Sequence, residues 1–432
     1  MGLGNLWRFP YLAAKYGGGI FLLVYIVLAV TFGFTLMVTE IAIGRKTRLS
    51  PMEAFGSLNK KWSWMGKLVT LVPVLILPYY CVIGGWVTKY TATMISGAVQ
   101  DAAGDNYFST FISGTGEPLL WFLLFMTATA VIVFLGVEKG IEKFSRVLMP
   151  ALLVLTILLS IFVVTRPGAG AGVAYYLKPD FSKLSMMTVL AALGQLFFSM
   201  SLAMGIMITY GSYLRKQDHI EQSVRQIEVF DTLVAFLAGL MIVPAVFVYS
   251  GGDESALGKG PSLMFVSLPK VFEAMGFAGG ILGLVFFLMV LFAALTSSVS
   301  IMETLVANCM DIFHTSRKKM SLVISLVSAA ASVVICLGYN VFYFELKLPN
   351  GATAQLLDLM DYISNSFLMP FISLLTCIFV GWVMKPEWIC EEMEASGHPF
   401  RRKKMYSFTI RYVTPVMMTV LFLQSTGLFE LL

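Results

Sequence analysis

Residues 2–11 read GLGNLWRFPY, and a long apolar segment begins a few residues later. The stretch combines two glycines, an asparagine, an arginine and a proline, which is an unusual set of residues to precede a hydrophobic run. It lacks the basic start, short apolar core and small-residue cleavage site of a signal peptide. We therefore expect it to belong to the folded protein.

The composition of the 432-residue chain is that of a polytopic membrane protein, since 58% of the residues are hydrophobic and 13% are charged. Hydropathy windows of about 20 residues predict ten spans and a shorter apolar fragment at 3–16. The spans lie near 18–44, 67–98, 118–136, 141–165, 184–213, 224–250, 278–309, 320–338, 354–384 and 406–429. Because lipid offers no hydrogen-bond partners, each should be a helix, and the predicted fold class is all-α.

The basic residues between the spans predict the orientation. One set of connectors holds 20 lysines and arginines, and the opposite set holds seven. The richer set comprises 44–67, 137–146, 214–225, 311–320 and 385–404. The positive-inside rule places it in the cytoplasm of a multi-pass plasma-membrane (inner-membrane) protein, with the C-terminus outside the cell. The net charge of +5 follows from this asymmetry, so nucleic acid is not an expected partner, and RRKK at 401–404 is interpreted as a topological anchor or lipid contact.

The cysteines and histidines argue against a metal site. The five cysteines occur singly, without the pairing of a disulfide framework or CxxC spacing, and the three histidines lie in polar connectors. An intramembrane enzyme would require a nucleophile with its base, or a metal cluster, and the sequence offers neither. The chain is not expected to be an enzyme.

Ionisable residues within the spans are candidates for function, because a charge is costly in the membrane. They are Arg8, Glu40, Asp231, Asp358 and Asp361. Glu40 has a structural alternative, which is to cap freed backbone amides of a neighbouring broken helix. Arg8 and Asp361 both fall towards the outer ends of their helices, where they could pair across a pathway.

Two segments place small polar residues inside apolar spans. Residues 192–216 contain Gly194, Ser199, Ser201 and Gly205, which either support helix packing or act as ligands at an unwound segment. In FAALTSSVS, residues 292–300, a carbonyl and two hydroxyls can converge on one point. Oxygen ligands without several carboxylates suit a monovalent cation, and helix packing is the alternative here too.

Five motifs, GLGNLWRFPY, KYGGG, LGQLFFSMSL, ITYGSY and LTSS, occur in this order between residues 2 and 298, within a resemblance that extends from residue 2 to about residue 425. Together they resemble the neurotransmitter:sodium symporter family, in particular its bacterial amino-acid branch. The resemblance implies a LeuT-type five-plus-five inverted repeat with broken helices 1 and 6. Residues 1–432 would form one transporter domain, with a first repeat at 1–165, a second at 184–384 and an eleventh helix at 406–429. Residues 1–5 would be the unwound middle of helix 1, whose inner half the chain lacks, so an in-frame coding segment is expected upstream.

The function implied by the resemblance is sodium-coupled import of hydrophobic and aromatic L-amino acids by alternating access. Two sodium ions are expected, with a lipid bilayer as surroundings and a monomer or weak dimer as the oligomeric state. The alternative is a non-transporting receptor or sensor that retains the amino-acid pocket. Gly2 stands where amine transporters of the family carry an acid, which implies that the substrate supplies its own carboxylate.

The resemblance also assigns site residues. The first sodium ion would be held by Asn5, Ser199, Asp231 and the substrate carboxylate, and the second by the carbonyls of Met1 and Ala293 with Thr296 and Ser297. Each site would take one further ligand from the missing half of helix 1. The substrate carboxylate would meet the amides of Leu3 and Gly4 and the Tyr80 hydroxyl. The rest of the substrate site would comprise Ile76, Phe198, Ser199, Ser201, Met204, Ser297 and Ile301.

Further resemblances concern gating and chloride. Arg8, Asp361, Gln195 and Phe198 would form the outer gate, and Ser212, Tyr213 and Asp311 would belong to the inner network. Gly140 and Pro150 resemble the motif at which helix 5 of the family unwinds. No chloride requirement is expected. Asp231 would supply the negative charge that many animal members take from chloride, although Ala235 stands where some bacterial relatives carry a compensating acid.

Overall fold

The computed structural model describes residues 2–250, 262–349 and 351–428. Within these ranges the regular secondary structure is helical, apart from a short antiparallel pair of strands, β1 (Leu346–Lys347) and β2 (Thr353–Ala354). The helices are α1 (4–15), α2 (Gly19–Thr47), α3 (Pro51–Leu58), α4 (Lys60–Ile95), α5 (Val99–Ala102), α6 (Tyr107–Ser113), α7 (Gly116–Phe134), α8 (Val137–Val164), α9 (Ala169–Leu177), α10 (Met186–Ser199), α11 (Ile206–Tyr213), α12 (Ile220–Ser250), α13 (263–274), α14 (Phe277–Phe313), α15 (Arg317–Tyr339), α16 (Leu356–Val383), α17 (Glu387–Glu394) and α18 (Lys403–Ser425).

Nine helices within the described ranges are long and apolar enough to cross a membrane. They are α2, α4, α7, α8, α12, α14, α15, α16 and α18. Each corresponds to one predicted span, which confirms the all-helical, multi-span class. The tenth predicted span, 184–213, consists of two shorter helices, α10 and α11.

The interruption between α10 and α11 follows from local backbone geometry. Helix α10 ends at Ser199, and the next residues include Ser201, Ala203 and Gly205, all with positive φ (53°, 60° and 74°). Such a conformation is disfavoured for residues with a side chain and cannot continue a right-handed helix. The Ala203 amide donates to Oε1 of Glu40 at 2.7 Å, so the structural role predicted for Glu40, capping freed amides of a broken helix, is confirmed.

Helices α2 and α11 pack backbone against backbone beside this interruption. A Cβ on Gly44 would lie 1.9 Å from the Ile208 carbonyl oxygen, and a Cβ on Gly211 would lie 2.4 Å from that of Ile41. Only glycine permits such an approach on both sides. The contact holds α2 beside α11, and Glu40 on α2 reaches the end of the break.

The prediction that residues 1–5 are unwound is wrong for residues 3–5, which are helical. Leu3, which precedes α1, already has right-handed helical dihedral angles, and Gly4–Arg8 adopt π-helical geometry before an α-helical segment, Phe9–Lys15. The Gly4 carbonyl accepts the Phe9 amide, five residues on. Pro10 has no N–H to continue the α-helical pattern, which is consistent with a π-helical turn at this point.

Helix α8 passes through Pro150 without a break, so this conformation does not show the unwinding implied by the resemblance. Gly140 lies in the π-helical start of the helix, Val137–Glu142. A Cβ there would lie 2.0 Å from the Ile132 carbonyl oxygen, so close packing against α7 already accounts for glycine at this position. A role for Gly140 and Pro150 in gating stays a prediction.

Candidate functional site

The structure brings all ten predicted substrate residues together around one cavity of about 40 Å³. Gly2 completes the lining. The contributing segments are the start of α1, the middle of α4, the break after α10 and the middle of α14. Residues more than 290 positions apart in the chain therefore share one site.

One end of this cavity is polar. Leu3 and Gly4 lie at the start of α1, where backbone N–H groups have no partner within the helix and the helix dipole is positive. The Tyr80 hydroxyl is buried and makes no hydrogen bond within the described part of the chain. These donors suit a carboxylate.

The remaining lining of the cavity is largely apolar. Ile76, Met204 and Ile301 are all buried, on α4, on the break and on α14. An apolar wall beside an anion-binding end matches the chemistry of an amino acid with a hydrophobic side chain.

The residues assigned to the first sodium ion form a buried cluster beside the cavity. The Asn5 amide nitrogen donates to Asp231 Oδ1 at 2.7 Å. The Ser199 hydroxyl lies 2.5 Å from both Asn5 Oδ1 and Asp231 Oδ2, and its single proton can serve only one of them at a time. Amide, hydroxyl and carboxylate oxygens with a single carboxylate fit a monovalent cation.

Tyr25 on α2 is a member of this cluster that the sequence analysis missed. Its hydroxyl lies 3.1 Å from Ser199 Oγ and 3.2 Å from Asp231 Oδ2, and the residue is fully buried. A lone tyrosine inside the apolar run LLVYIVL was the available signal, because a buried phenol requires a polar partner.

The residues assigned to the second sodium ion lie on one face of α14. The Thr296 hydroxyl donates to the Ala293 carbonyl at 3.1 Å and also lies 3.1 Å from that of Phe292. A Cβ on Gly2 would lie 2.6 Å from Ser297 Oγ, so the start of α1 closes on this face. The fourth assigned residue, Met1, lies outside the described residues.

Phe198 separates the small cavity from a second cavity of about 250 Å³, because its side chain lines both. Arg8 lines the second cavity and lies over the Phe198 ring, with its guanidinium carbon 5.6 Å from the ring centroid. Asp361 instead accepts a hydrogen bond from Tyr79 at 3.2 Å and one from Asn365 at 2.5 Å. Arg8 and Asp361 therefore do not form the predicted ion pair in this conformation.

Gln195, which was assigned to the outer gate, bonds to the start of α1, and a role in gating stays a prediction. Its side chain is fully buried, and Nε2 donates to the Gly4 carbonyl at 3.0 Å. It thereby fixes the peptide plane at the anion-binding turn of α1. The position follows from α10 packing against the start of α1, which the motif alone did not reveal.

Asp358 has a structural explanation. Its carboxylate accepts the Gln355 amide at 3.1 Å and forms a capping box at the start of α16. An acid at this position satisfies a free N–H and interacts favourably with the helix dipole. Of the ionisable residues predicted in the spans, Asp358 is thus explained without a transport role.

The predicted inner network divides into separate contacts. Tyr213 donates to Glu303 at 2.5 Å, and Glu303 pairs with Arg317 at 2.5 Å. Asp311 accepts the Ser50 amide at 2.7 Å, where it caps the start of α3. The sequence analysis missed Glu303, although a glutamate inside the apolar span 278–309 met its own criterion for a candidate.

Ser212, the remaining inner-network residue, bonds within its own turn, with its hydroxyl donating to the Thr209 carbonyl at 2.6 Å. Its carbonyl accepts Nη1 of Arg48 at 3.3 Å, which connects the end of α11 to the end of α2. The predicted inner residues therefore tie α11, α14 and the α2–α3 region together through different partners.

The run RRKK is bound to the protein at three of its four positions, rather than acting only as a free anchor. The Arg401 amide donates to Glu221, and Lys403 Nζ lies 3.4 Å from Glu394. Arg402 lies 3.4 Å from the buried Glu228 and also reaches the Val30 carbonyl at 3.3 Å. Such partners across distant helices could not be identified from charge spacing.

A larger cavity of about 760 Å³ reaches both cation clusters. It is bounded by α2, α8, the break after α10, α11, α12 and α14, and its wall includes Asp231, Thr296, Ser297 and Pro150. The cavity thus joins the candidate ion sites to the side of the protein that carries the richer set of basic connectors.

The comparisons with known proteins agree with this geometry. The chain matches the Sodium:neurotransmitter symporter family over residues 1–111 and 106–430. It is 34% identical to the uncharacterized sodium-dependent transporter YhdH of Bacillus subtilis, with 99% of this chain and 94% of that protein covered. An uncharacterized sodium-dependent transporter of Haemophilus influenzae is 32% identical, with 98% of this chain and 94% of that protein covered.

Among solved structures, the crystal structure of MhsT in complex with L-phenylalanine matches with a TM-score of 0.86 at 34% identity. That match covers 98% of this chain and 96% of MhsT, so the LeuT-like fold extends over nearly the whole chain. The chain belongs to the sodium:neurotransmitter symporter family, and it is a sodium-dependent membrane transporter, not an enzyme.

Proposed function

We propose that the protein imports hydrophobic and aromatic L-amino acids together with sodium, by alternating access. The observation that carries this proposal is the single cavity in which the donors of Leu3, Gly4 and Tyr80 face an apolar wall. Support comes from MhsT, which has been crystallised with L-phenylalanine. A substrate carboxylate at these donors would lie beside the buried Asn5–Asp231 cluster and could complete it.

Two sodium ions are proposed, one at the cluster of Asn5, Ser199 and Asp231 and one at the α14 face formed by Ala293, Thr296 and Ser297. A bound cation would replace the hydrogen bonds that these oxygens make with one another. Because the substrate carboxylate would be a further ligand of the first site, ion binding and substrate binding favour each other.

The proposed architecture is a pair of inverted repeats, 1–165 and 184–384, followed by the additional helix near the C-terminus. The C-terminus is proposed to lie outside the cell, and the protein to be a monomer or weak dimer in the plasma membrane. On this orientation the cavity of about 250 Å³ faces outwards, and the cavity of about 760 Å³ faces the cytoplasm.

Sodium-driven uptake into liposomes by the full-length gene product tests the function. A sodium gradient is expected to drive accumulation of labelled L-phenylalanine, with competition by leucine, tyrosine and tryptophan and weak competition by glycine. Binding of these amino acids without uptake would instead support the alternative of a non-transporting receptor. Absence of both would overturn the proposal.

Met204→Phe is expected to narrow the substrate range. Methionine is unbranched and flexible, so Met204 can repack around side chains of different shape, whereas a phenyl ring fills the cavity. We expect tryptophan competition to weaken by roughly ten-fold, since overpacking typically costs 1–3 kcal/mol. Met186→Phe, at an exposed position on α10, serves as the control. Unchanged tryptophan competition in Met204→Phe would count against this assignment.

Arg8→Ala is expected to reduce uptake roughly ten-fold while sodium affinity changes little. The reason is that Asp361 loses its charged partner only in the closed state, which forms after sodium has bound. Uptake and sodium binding, measured on the same preparation, distinguish this result from a general loss of folded protein. Exchanging the charges of Arg8 and Asp361 together should restore part of the uptake. If the single changes at Arg8 and at Asp361 each leave uptake unchanged, and the charge exchange does not raise uptake, the pair is not a gate.

A further inference from the structure

Asn365 holds one of the two carboxylate oxygens of Asp361. It lies one turn after Asp361 on α16, and its amide nitrogen donates to Asp361 Oδ1 at 2.5 Å and approaches the Tyr79 hydroxyl at 3.3 Å. Tyr79 donates to the same Oδ1 at 3.2 Å. Because an ionised carboxylate only accepts hydrogen bonds, the orientation of the Asn365 amide is determined, with nitrogen towards Asp361 and oxygen away from it.

The oxygen of this amide lacks a partner. Asn365 Oδ1 is buried and makes no hydrogen bond within the part of the chain that the structure describes. Buried polar atoms are nearly always paired, so an exception requires an explanation, and a donor that arrives in another conformation supplies one. Asn365 and Arg8 line the same outer cavity, and Arg8 is the one charged residue among the described residues of its wall.

We propose that Asn365 is a positioning residue of the outer gate. It orients the carboxylate of Asp361 and offers its own oxygen as a second acceptor, so that Arg8 binds both residues when the gate is closed. On closure, the guanidinium leaves the Phe198 ring and donates to Asp361 Oδ2 and Asn365 Oδ1 together. The guanidinium of arginine carries five N–H donors in a planar fork, so one side chain can donate to two separate acceptors. This inference rests on the proposed function, because it assigns a further residue to the proposed gate.

Two features of the contacts support this division of roles. Tyr79 and Asn365 both use Oδ1 of Asp361, and neither uses Oδ2, so one oxygen anchors the side chain while the other can meet Arg8. The anchor also fixes the Asn365 oxygen on the side away from Asp361, which adds an acceptor without adding a second negative charge.

A cysteine introduced at Gly194 as an accessibility reporter tests the inference. Gly194 lines the outer cavity, and a Cβ there would come no closer than 3.9 Å to any neighbour, at Arg8 Nη2. In the full-length Gly194→Cys protein in liposomes, a membrane-impermeant thiol reagent is applied with sodium, with and without L-phenylalanine. The protein without Gly194→Cys measures background labelling at the native cysteines, of which Cys309 is partly exposed.

L-Phenylalanine is expected to slow labelling in the reporter protein, and Asn365→Leu should remove most of this protection, a change of roughly ten-fold. Sodium affinity and the thermal midpoint should stay close to those of the reporter protein, which a purely structural role of Asn365 would not allow. Asn365→Ala provides a second variant if the leucine folds poorly. Ser366→Ala, in the same cavity wall, is the matched control and should retain protection.

The outcomes separate this inference from the proposed function. Protection that survives in Asn365→Leu and Asn365→Ala but disappears in Arg8→Ala would overturn the role of Asn365 and leave the gate intact. Protection that survives in all three variants would overturn the gate itself. Absence of protection in the reporter protein would overturn substrate-driven closure and the role of Asn365, whereas the proposed function is decided separately by the uptake assay.

Discussion

Uptake by the wild-type protein is expected to proceed at the same rate in sodium gluconate as in sodium chloride. Asp231 is 2% exposed, and its carboxylate contacts Asn5, Ser199 and Tyr25 at 2.5–3.2 Å, so a negative charge is built into the first cation site. A desolvated cation needs such a charge nearby, because an unpaired buried ion is far more costly than a paired one. With the carboxylate in place, no bound anion is required.

Asp231→Asn keeps the size of the side chain and removes this charge. We expect its uptake in gluconate to fall by roughly a hundred-fold or more, since removing one partner of a buried charge pair typically costs at least about 3 kcal/mol. Chloride should restore part of the activity if the anion can enter the same place. Asp180→Asn, at an exposed position in the connector between α9 and α10, should behave as wild type in both salts. Wild-type uptake that collapses without chloride would refute the assignment.

The spans could be predicted from the sequence because the membrane leaves few alternatives. A run of about 20 apolar residues in lipid must satisfy its own backbone, and a helix does so. The break between α10 and α11 was also signalled, by the small polar residues of 192–216. The π-helical start of α1 was not, because glycine and proline mark a disturbed helix without specifying the new hydrogen-bond pattern.

Site residues that belong to a motif could be predicted from the sequence. Residues whose role depends on a partner on a distant helix were harder to predict. The ten substrate residues share one cavity, although their individual roles stay proposals. By contrast, Gln195 bonds to Gly4, and Asp361 bonds to Asn365, through contacts that depend on how helices pack. Tyr25 and Glu303 were visible as polar residues in apolar spans and required only a more thorough application of the same rule.

Packing also creates a buried ion pair that no local pattern predicted. The Arg45 side chain, on α2, is completely buried; its Nε donates to Glu392 at 2.8 Å, and its Nη1 donates to the Asp218 carbonyl at 2.7 Å. Another guanidinium nitrogen donates to the Glu392 carbonyl. One side chain thereby ties α2 to the α11–α12 connector and to α17.

Arg45→Met is expected to lower the free energy of unfolding by roughly 3–5 kcal/mol, because it leaves the carboxylate of Glu392 buried with only the distant Lys46, at 3.8 Å, to compensate. Arg45→Met combined with Glu392→Met should be less damaging than the sum of the single changes, since no unpaired charge remains. The midpoint of thermal unfolding in detergent, at one scan rate, provides the comparison.

Arg146→Met is the matched control, because its pair with Glu142 is exposed and should contribute less than about 1 kcal/mol. If Arg45→Met is no more harmful than Arg146→Met, the buried pair does not hold the inner ends of these helices together.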